Sequence, residues 1–202
     1  MIVNKMDRRK FLGTALAGPA AMALSGSIFP HATSPIAATK YGRVRGFVDQ
    51  NINVFKGIRY GADTASRRFM SPVRPDNWTD VKDAKEYGAS SPQQGRGNDK
   101  QSEDCLFLNV FTPSLRDGGK RPVMFYIHGG AYSGGSGSSR LYDGVNLCRR
   151  GDVVVVSVNH RLNAFGYLYL ARFGREEFAD SGNAGQLDLI LALQWVKENI
   201  AE

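Results

Sequence analysis

The sequence predicts an α/β fold, and three segments carry that prediction. Residues 122–127 (Pro-Val-Met-Phe-Tyr-Ile) form an unbroken run closed by His128-Gly129-Gly130. Residues 152–158 contain four consecutive valines, Val153 to Val156, followed by Ser157 and Val158. Runs that are apolar throughout, rather than at alternate positions, mark strands buried on both faces of a parallel or mixed sheet. Residues 142–150 can supply the crossover between these two strands. The third segment, 185–200, is helical: Leu187, Ile190, Leu191 and Trp195 fall at i, i+3, i+4 and i+8, and Leu193 and Val196 widen the stripe. Asn183 stands where an N-cap belongs, and Asp188 lies near the positive end of the helix dipole.

The remaining elements follow in chain order. Residues 1–38 read as a leader: Lys5, Arg8, Arg9 and Lys10 precede a weakly apolar stretch over 12–24, too short to cross a bilayer. An amphipathic helix packed on the domain is the competing reading, but the stretch has almost no polar side chain beyond Thr14. The segment Asp7-Arg8-Arg9-Lys10-Phe11-Leu12 resembles a twin-arginine export signal, with Asp7 where Ser or Thr is usual. That resemblance implies transient contact with export machinery and a periplasmic or secreted location. Residues 41–48 and 51–60 read as an antiparallel pair turning near Asp49-Gln50-Asn51. Residues 61–102, rich in Pro, Gly, Ser, Asp and Arg, read as a long surface connection pinned by Arg68-Phe69, Pro72, Pro75 and Trp78. Residues 106–111 form a short strand ended by Pro113.

Composition excludes several classes. Lys and Arg number 26 against 19 Asp and Glu in 202 residues, a net charge of +7. Setting aside 1–38 removes four bases and one acid and leaves +4. The remaining bases, among them Arg67-Arg68, Arg149-Arg150 and Lys197, are scattered and make no basic helix face, so nucleic-acid binding is not expected. Two cysteines exclude a disulfide-dense scaffold, and the His and Cys residues lack metal-ligand spacing; no metal or organic cofactor is expected.

The most specific segment is Glu103-Asp104-Cys105-Leu106-Phe107-Leu108-Asn109-Val110-Phe111-Thr112-Pro113, an acidic turn leading into a strand. It resembles the second signature of type-B carboxylesterases and cholinesterases. The likeness continues in the family's order through Gly42-Arg43-Val44-Arg45-Gly46, Val54-Phe55-Lys56-Gly57-Ile58, His128-Gly129-Gly130-Ala131-Tyr132, Asn159-His160-Arg161-Leu162 and Asn183-Ala184-Gly185-Gln186-Leu187-Asp188. The resemblance implies that 39–202 is the N-terminal part of a carboxylesterase type B domain. The expected architecture is then an incomplete α/β-hydrolase fold, with the first strands and helices of the central sheet. It also implies hydrolysis of a small-molecule carboxylic ester through a serine acyl-enzyme, with an oxyanion hole at Gly129, Gly130 and Ala131. Backbone N–H groups fixed in advance suit that task, since Gly-Gly at a strand end lets the chain turn sharply. Read without the flanking motifs, Gly129-Gly130 is first of all a plain strand-end turn.

Departures from the family pattern carry information. Ala131 replaces a third glycine, Arg59 replaces a proline, and Ser91-Pro92-Gln93 stands where the family has the cysteine that partners Cys105, so two free thiols are expected. Gly134-Gly135-Ser136-Gly137 fails as a phosphate loop because Ser136 stands in the lysine position, and fails as a dinucleotide fingerprint because Arg140 replaces the third glycine. It reads as a flexible loop beside the active-site mouth. The Gly-x-Ser-x-Gly nucleophile elbow is absent, and with it the Ser, acid and His of the triad. His128 and His160 are accordingly expected to be structural, and no catalytic residue is expected in the chain. Inactivity, poor folding and an uncovered helix face follow as expectations. The alternatives are a non-catalytic cholinesterase-like binding or adhesion protein, and a truncated, non-functional gene product.

Overall fold

The computed structural model describes residues 34–95 and 100–202; Arg8, Arg9 and nearly all of the leader lie outside the described residues. Among the described residues, eight strands make two sheets. A small one has the order β1 (Ile36–Thr39), β2 (Gly42–Arg45), β5 (Lys82–Asp83). The larger has the order β3 (Phe47–Asp49), β4 (Ile52–Arg59), β6 (Phe107–Thr112), β8 (Val154–Val158), β7 (Val123–Ile127). All its pairs are antiparallel except β7 with β8, which run parallel.

The expected hairpin forms between β3 and β4. Gln50 and Asn51 both take left-handed φ, 47° and 66°, the backbone a tight two-residue turn demands. The single strand expected over 41–48 is instead divided between the sheets at Gly46. A strand not anticipated, β1, pairs antiparallel with β2 from Ile36↔Arg45 to Thr39↔Gly42. The expected leader boundary after residue 38 therefore falls inside a paired strand. Within 61–102, Trp78 Nε1 donates to Arg43 O (3.0 Å), and the Phe69 ring stacks on Phe165 at 6.3 Å. Arg59 does not break the chain as a turn residue. It ends β4 and grips Asp104 through two bonds of 2.6 and 2.7 Å.

Helices cover both faces of the larger sheet. Val154, Val156 and Val158 alternate toward α3 (Ala184–Asn199), where they meet Leu189, Leu191, Ala192, Trp195 and Val196. Val155 faces the other way, with Phe111, Ile52 and Val54, against Val145 and Cys148 of α1 (Val145–Gly151). A short α2 (Asn163–Tyr167) follows β8.

Two expectations fail here. The strand at 122–127 is not buried on both faces: β7 is the outer strand beyond β8, and Val123, Met124, Tyr126 and Ile127 are exposed. The stripe expected on α3 is met only in part: Leu191, Trp195 and Val196 are buried, as expected. Asp188 is wholly buried, whereas Ile190 and Leu193 stand about half exposed, at 49% and 47%. Asn183 occupies the cap position but makes no side-chain capping bond.

The reason lies in an ion pair. Arg161 Nη2 meets Asp188 Oδ1 at 2.7 Å, Arg161 Nε donates to Asp188 Oδ2 at 2.9 Å, and the Arg161 backbone N–H donates to the same oxygen at 2.9 Å. Arg161 Nη1 also donates to Met70 O, at 2.8 Å. These bonds turn the Asp188 face of α3 onto the end of β8 and leave Ile190 and Leu193 on the flank. Burial pushes the Asp188 carboxyl up, and the Arg161 bonds work against that shift. Both cysteines are free and buried. Burial raises the Cys148 thiol to about 11 and the Cys105 thiol further, so neither supplies a thiolate near neutral pH.

Candidate active site

The chain leaves β7 through a turn that few residues can follow. Gly130 takes φ 132°, and a Cβ there would stand 1.9 Å from Gly134 O, so no other residue fits. Ala131 and Tyr132 then take successive left-handed conformations, φ 51° and 60°, uncommon for residues with a Cβ. Strain of this kind persists where the surroundings enforce it. Ser133 and Gly134 donate their N–H groups to Gly130 O at 3.0 and 3.2 Å, folding the chain back on itself. The N–H groups of Gly130 and Ala131 have no acceptor among the described residues. They border an open cleft of about 470 Å³ lined by Ile127, His128, Gly129 to Tyr132, His160, Gln186 and Leu189.

The segment after the turn is clamped rather than flexible, which corrects the expectation for Gly134 to Gly137. Gln93 bonds Gly135 twice, accepting from its N–H (2.7 Å) and donating to its carbonyl (2.9 Å). Gly137 N–H donates to Asn159 Oδ1 at 2.7 Å. Gly137 O accepts from Ser157 Oγ at 2.9 Å and from Asn109 Nδ2 at 3.3 Å. Asn109, Ser157 and Asn159 come from the interior of β6 and the C-terminal end of β8. The turn is thus tied to the centre of the sheet by polar side chains that look like interruptions in apolar strands. Those interruptions, Asn109 in 106–111 and Ser157 after four valines, were the available signal.

The two histidines of the motifs meet. Their rings stack at 4.8 Å with 16° between planes, joining the end of β7 to the end of β8. Each Nδ1 lies 3.0 Å from a backbone carbonyl, His128 from Gly129 O and His160 from Arg161 O. Burial lowers the His128 pKa; burial and then the neighbouring His128 lower His160 to about 4. Both rings are neutral at pH 7. Among the described residues no group of three or more His, Cys, Asp or Glu could hold a metal ion.

Beside this cleft lies a second, lined by Pro92, Gln93, Gln94, Gln101, Ser133, Asn163, Ala164 and Phe165. Tyr132 stands between the two regions, its ring meeting Tyr167 edge-on at 5.0 Å and its carbonyl accepting from Asn163 N–H at 2.8 Å.

The chain is similar to known proteins in sequence and fold. Over 177 residues the chain is 42% identical to para-nitrobenzyl esterase of Bacillus subtilis, covering 84% of this chain and 35% of that protein. It is 33% identical over 217 residues to neuroligin-2 of Homo sapiens, covering 83% of this chain and 25% of that protein. The solved carboxylesterase EST55 of Geobacillus stearothermophilus superposes with a TM-score of 0.78 at 47% identity, over 82% of this chain and 34% of that one. The chain therefore spans about a third or less of the length of these relatives. Its fold is that of their α/β-hydrolase sheet. The model of the carboxylesterase family matches residues 33–202, from just before β1 through α3 to Glu202, and the chain belongs to that family.

Proposed function

We infer that this chain is the oxyanion-hole portion of a serine carboxylesterase that hydrolyses small-molecule carboxylic esters through an acyl-enzyme. The observation that carries the reading is the turn after β7, where Gly130 and Ala131 line the cleft and their N–H groups have no acceptor among the described residues. In ester hydrolysis the carbonyl oxygen gains negative charge as the tetrahedral intermediate forms. Donors already in place stabilise that charge without reorganising. Gly129 shapes the turn, Gly130 and Ala131 donate, and the clamp of Gln93, Asn109, Ser157 and Asn159 resists collapse. The reading requires no cofactor.

The nucleophile, acid and base come from outside this sequence, which has no Gly-x-Ser-x-Gly elbow. The chain alone then hydrolyses no ester; rapid turnover of p-nitrophenyl acetate, blocked by an organophosphate, would refute that. The oxyanion role is tested in a chimera with residues 39–202 in place of the matching part of Bacillus subtilis para-nitrobenzyl esterase. Gly130→Ala keeps the N–H but its Cβ would force the turn aside from Gly134 O, so the misplaced donors should lower kcat by about 10²-fold or more, and an unchanged kcat overturns the assignment.

A second reading, a non-catalytic binding protein on the same fold, draws on the similarity to neuroligin-2. The nucleotide sequence beyond codon 202 separates the two. An elbow with serine within about thirty residues favours the esterase, and an elbow without it favours binding. Export belongs to the same proposal and rests on Arg8 and Arg9. A reporter fused to residues 1–38 should lose export when both become lysine.

A further inference from the structure

We propose that His160 is a positioning residue for the turn at 129–132, acting through its stacked contact with His128 and holding the turn open only while both rings are neutral. The proposal rests on the oxyanion reading of that turn and adds to it a residue that acts through His128 rather than as a donor.

The geometry leaves His128 nowhere to go. One face lies against the His160 ring at 4.8 Å. Its Nδ1 bonds Gly129 O, the first residue of the turn. It also lies against Gly135, where a Cβ would stand 2.4 Å from the same nitrogen. The two rings are 7% and 3% exposed. A carbonyl accepts only from an N–H, so each neutral ring carries its proton on Nδ1, and any further proton goes to Nε2. That proton would place a charge directly beside the stacked partner.

Nothing nearby offsets such a charge. No Asp, Glu, Lys or Arg lines the cleft. On the elements packed around the pair, Arg161 follows His160 and Asp188 lies on α3, but these two are bonded to each other. Among the described residues beside the turn, the Tyr132 and Tyr167 phenols meet edge-on at 5.0 Å. The low proton affinity of both rings agrees with this setting. When His128 is displaced by a charged neighbour, its bond to Gly129 and its contact with Gly135 carry the displacement into the turn.

Nitrogen-15 NMR of the protein between pH 7.5 and 4 tests this directly. The amides of residues 129–132 and the His160 ring should titrate together, with a half-point at least about one unit below the usual imidazole value. His160→Phe keeps a ring but takes no proton. Its turn amides should match the unaltered protein at pH 7 and lose the pH response. His160→Ala removes the ring, and exchange of the Ser133 and Gly134 amides at pH 7 should quicken about tenfold or more. Turn amides that stay fixed while His160 titrates, or a Phe variant that keeps the full pH response, overturn the proposal. Should the Ala variant fail to fold, the titration and the Phe variant decide. None of these readouts uses ester turnover. A turn that follows His160 while Gly130→Ala leaves kcat unchanged would sink the oxyanion assignment and leave the positioning role standing.

Discussion

β7 and β8 lie side by side, run in the same direction, have five residues each, and read alike in sequence as apolar runs. Their fates differ. Val156 of β8 is wholly buried, whereas Met124 of β7 is 46% exposed. The ends differ in the same sense. β8 runs into Asn159, His160 and Arg161, each buried and bonded, while β7 runs into a strained turn that lines a cleft. α1 sits over β4, β6 and β8, leaving Met124 and Tyr126 with little cover beyond the Tyr142 ring at 4.4 Å. An apolar strand is thus a core strand only when it has neighbours on both edges and a helix on each face. The rigid strand end supports the exposed one: the polar groups of β8 hold the turn that β7 cannot hold for itself.

The contrast can be broken first at the end of β8. Asp188→Ala leaves Arg161 buried without its partner and should cost about 3–5 kcal/mol, measured by urea unfolding. Acid strikes next. His160 titrates lower in the folded chain than in the unfolded one, so its stabilising contribution is complete above about pH 6.5. It falls as pH drops toward about 4, by roughly 3 kcal/mol in total. Denaturant melts across that range should show the decline, and His160→Phe should flatten it.

Side-chain truncation then compares the two strands directly. Val156→Ala should cost about 2 kcal/mol or more, and Met124→Ala about 0.5 kcal/mol or less. Equal losses would mean that β7 is covered in solution. The smallest effect is expected from Tyr126→Lys, which should change stability by less than about 0.5 kcal/mol. It should reduce self-association in sedimentation velocity, because it charges an open apolar edge.

Much of the fold is legible in the sequence. The hairpin turn at Gln50-Asn51, the strand before Pro113, the crossover helix and the long helix all follow from local pattern. So does the position of the turn after β7, marked by His128-Gly129-Gly130. The clamp on that turn is less legible. Gln93 lies far from Gly135 in the chain, and Asn109, Ser157 and Asn159 become a cluster only when β6 and β8 pair at Asn109↔Ser157. The helix face is legible only in part, for a related reason. Of the apolar stripe expected on α3, Leu191, Trp195 and Val196 are buried while Ile190 and Leu193 are not, and the Arg161–Asp188 pair brings Asp188 inward beside them.

The sequence by itself determined the main strands β4, β6, β7 and β8, the long helix, the turns at Gln50-Asn51 and after β7, and which chemistry-bearing residues end those strands. Those properties depend on neighbours a few residues away, through side-chain alternation and backbone sterics. The tertiary structure alone decided that β7 and β8 pair in parallel, that Asp188 of α3 turned inward to Arg161, and that two histidines 32 positions apart stack beneath one turn. Such outcomes depend on which distant segment arrives alongside, and a buried ion pair or a stacked imidazole is made only by that arrival.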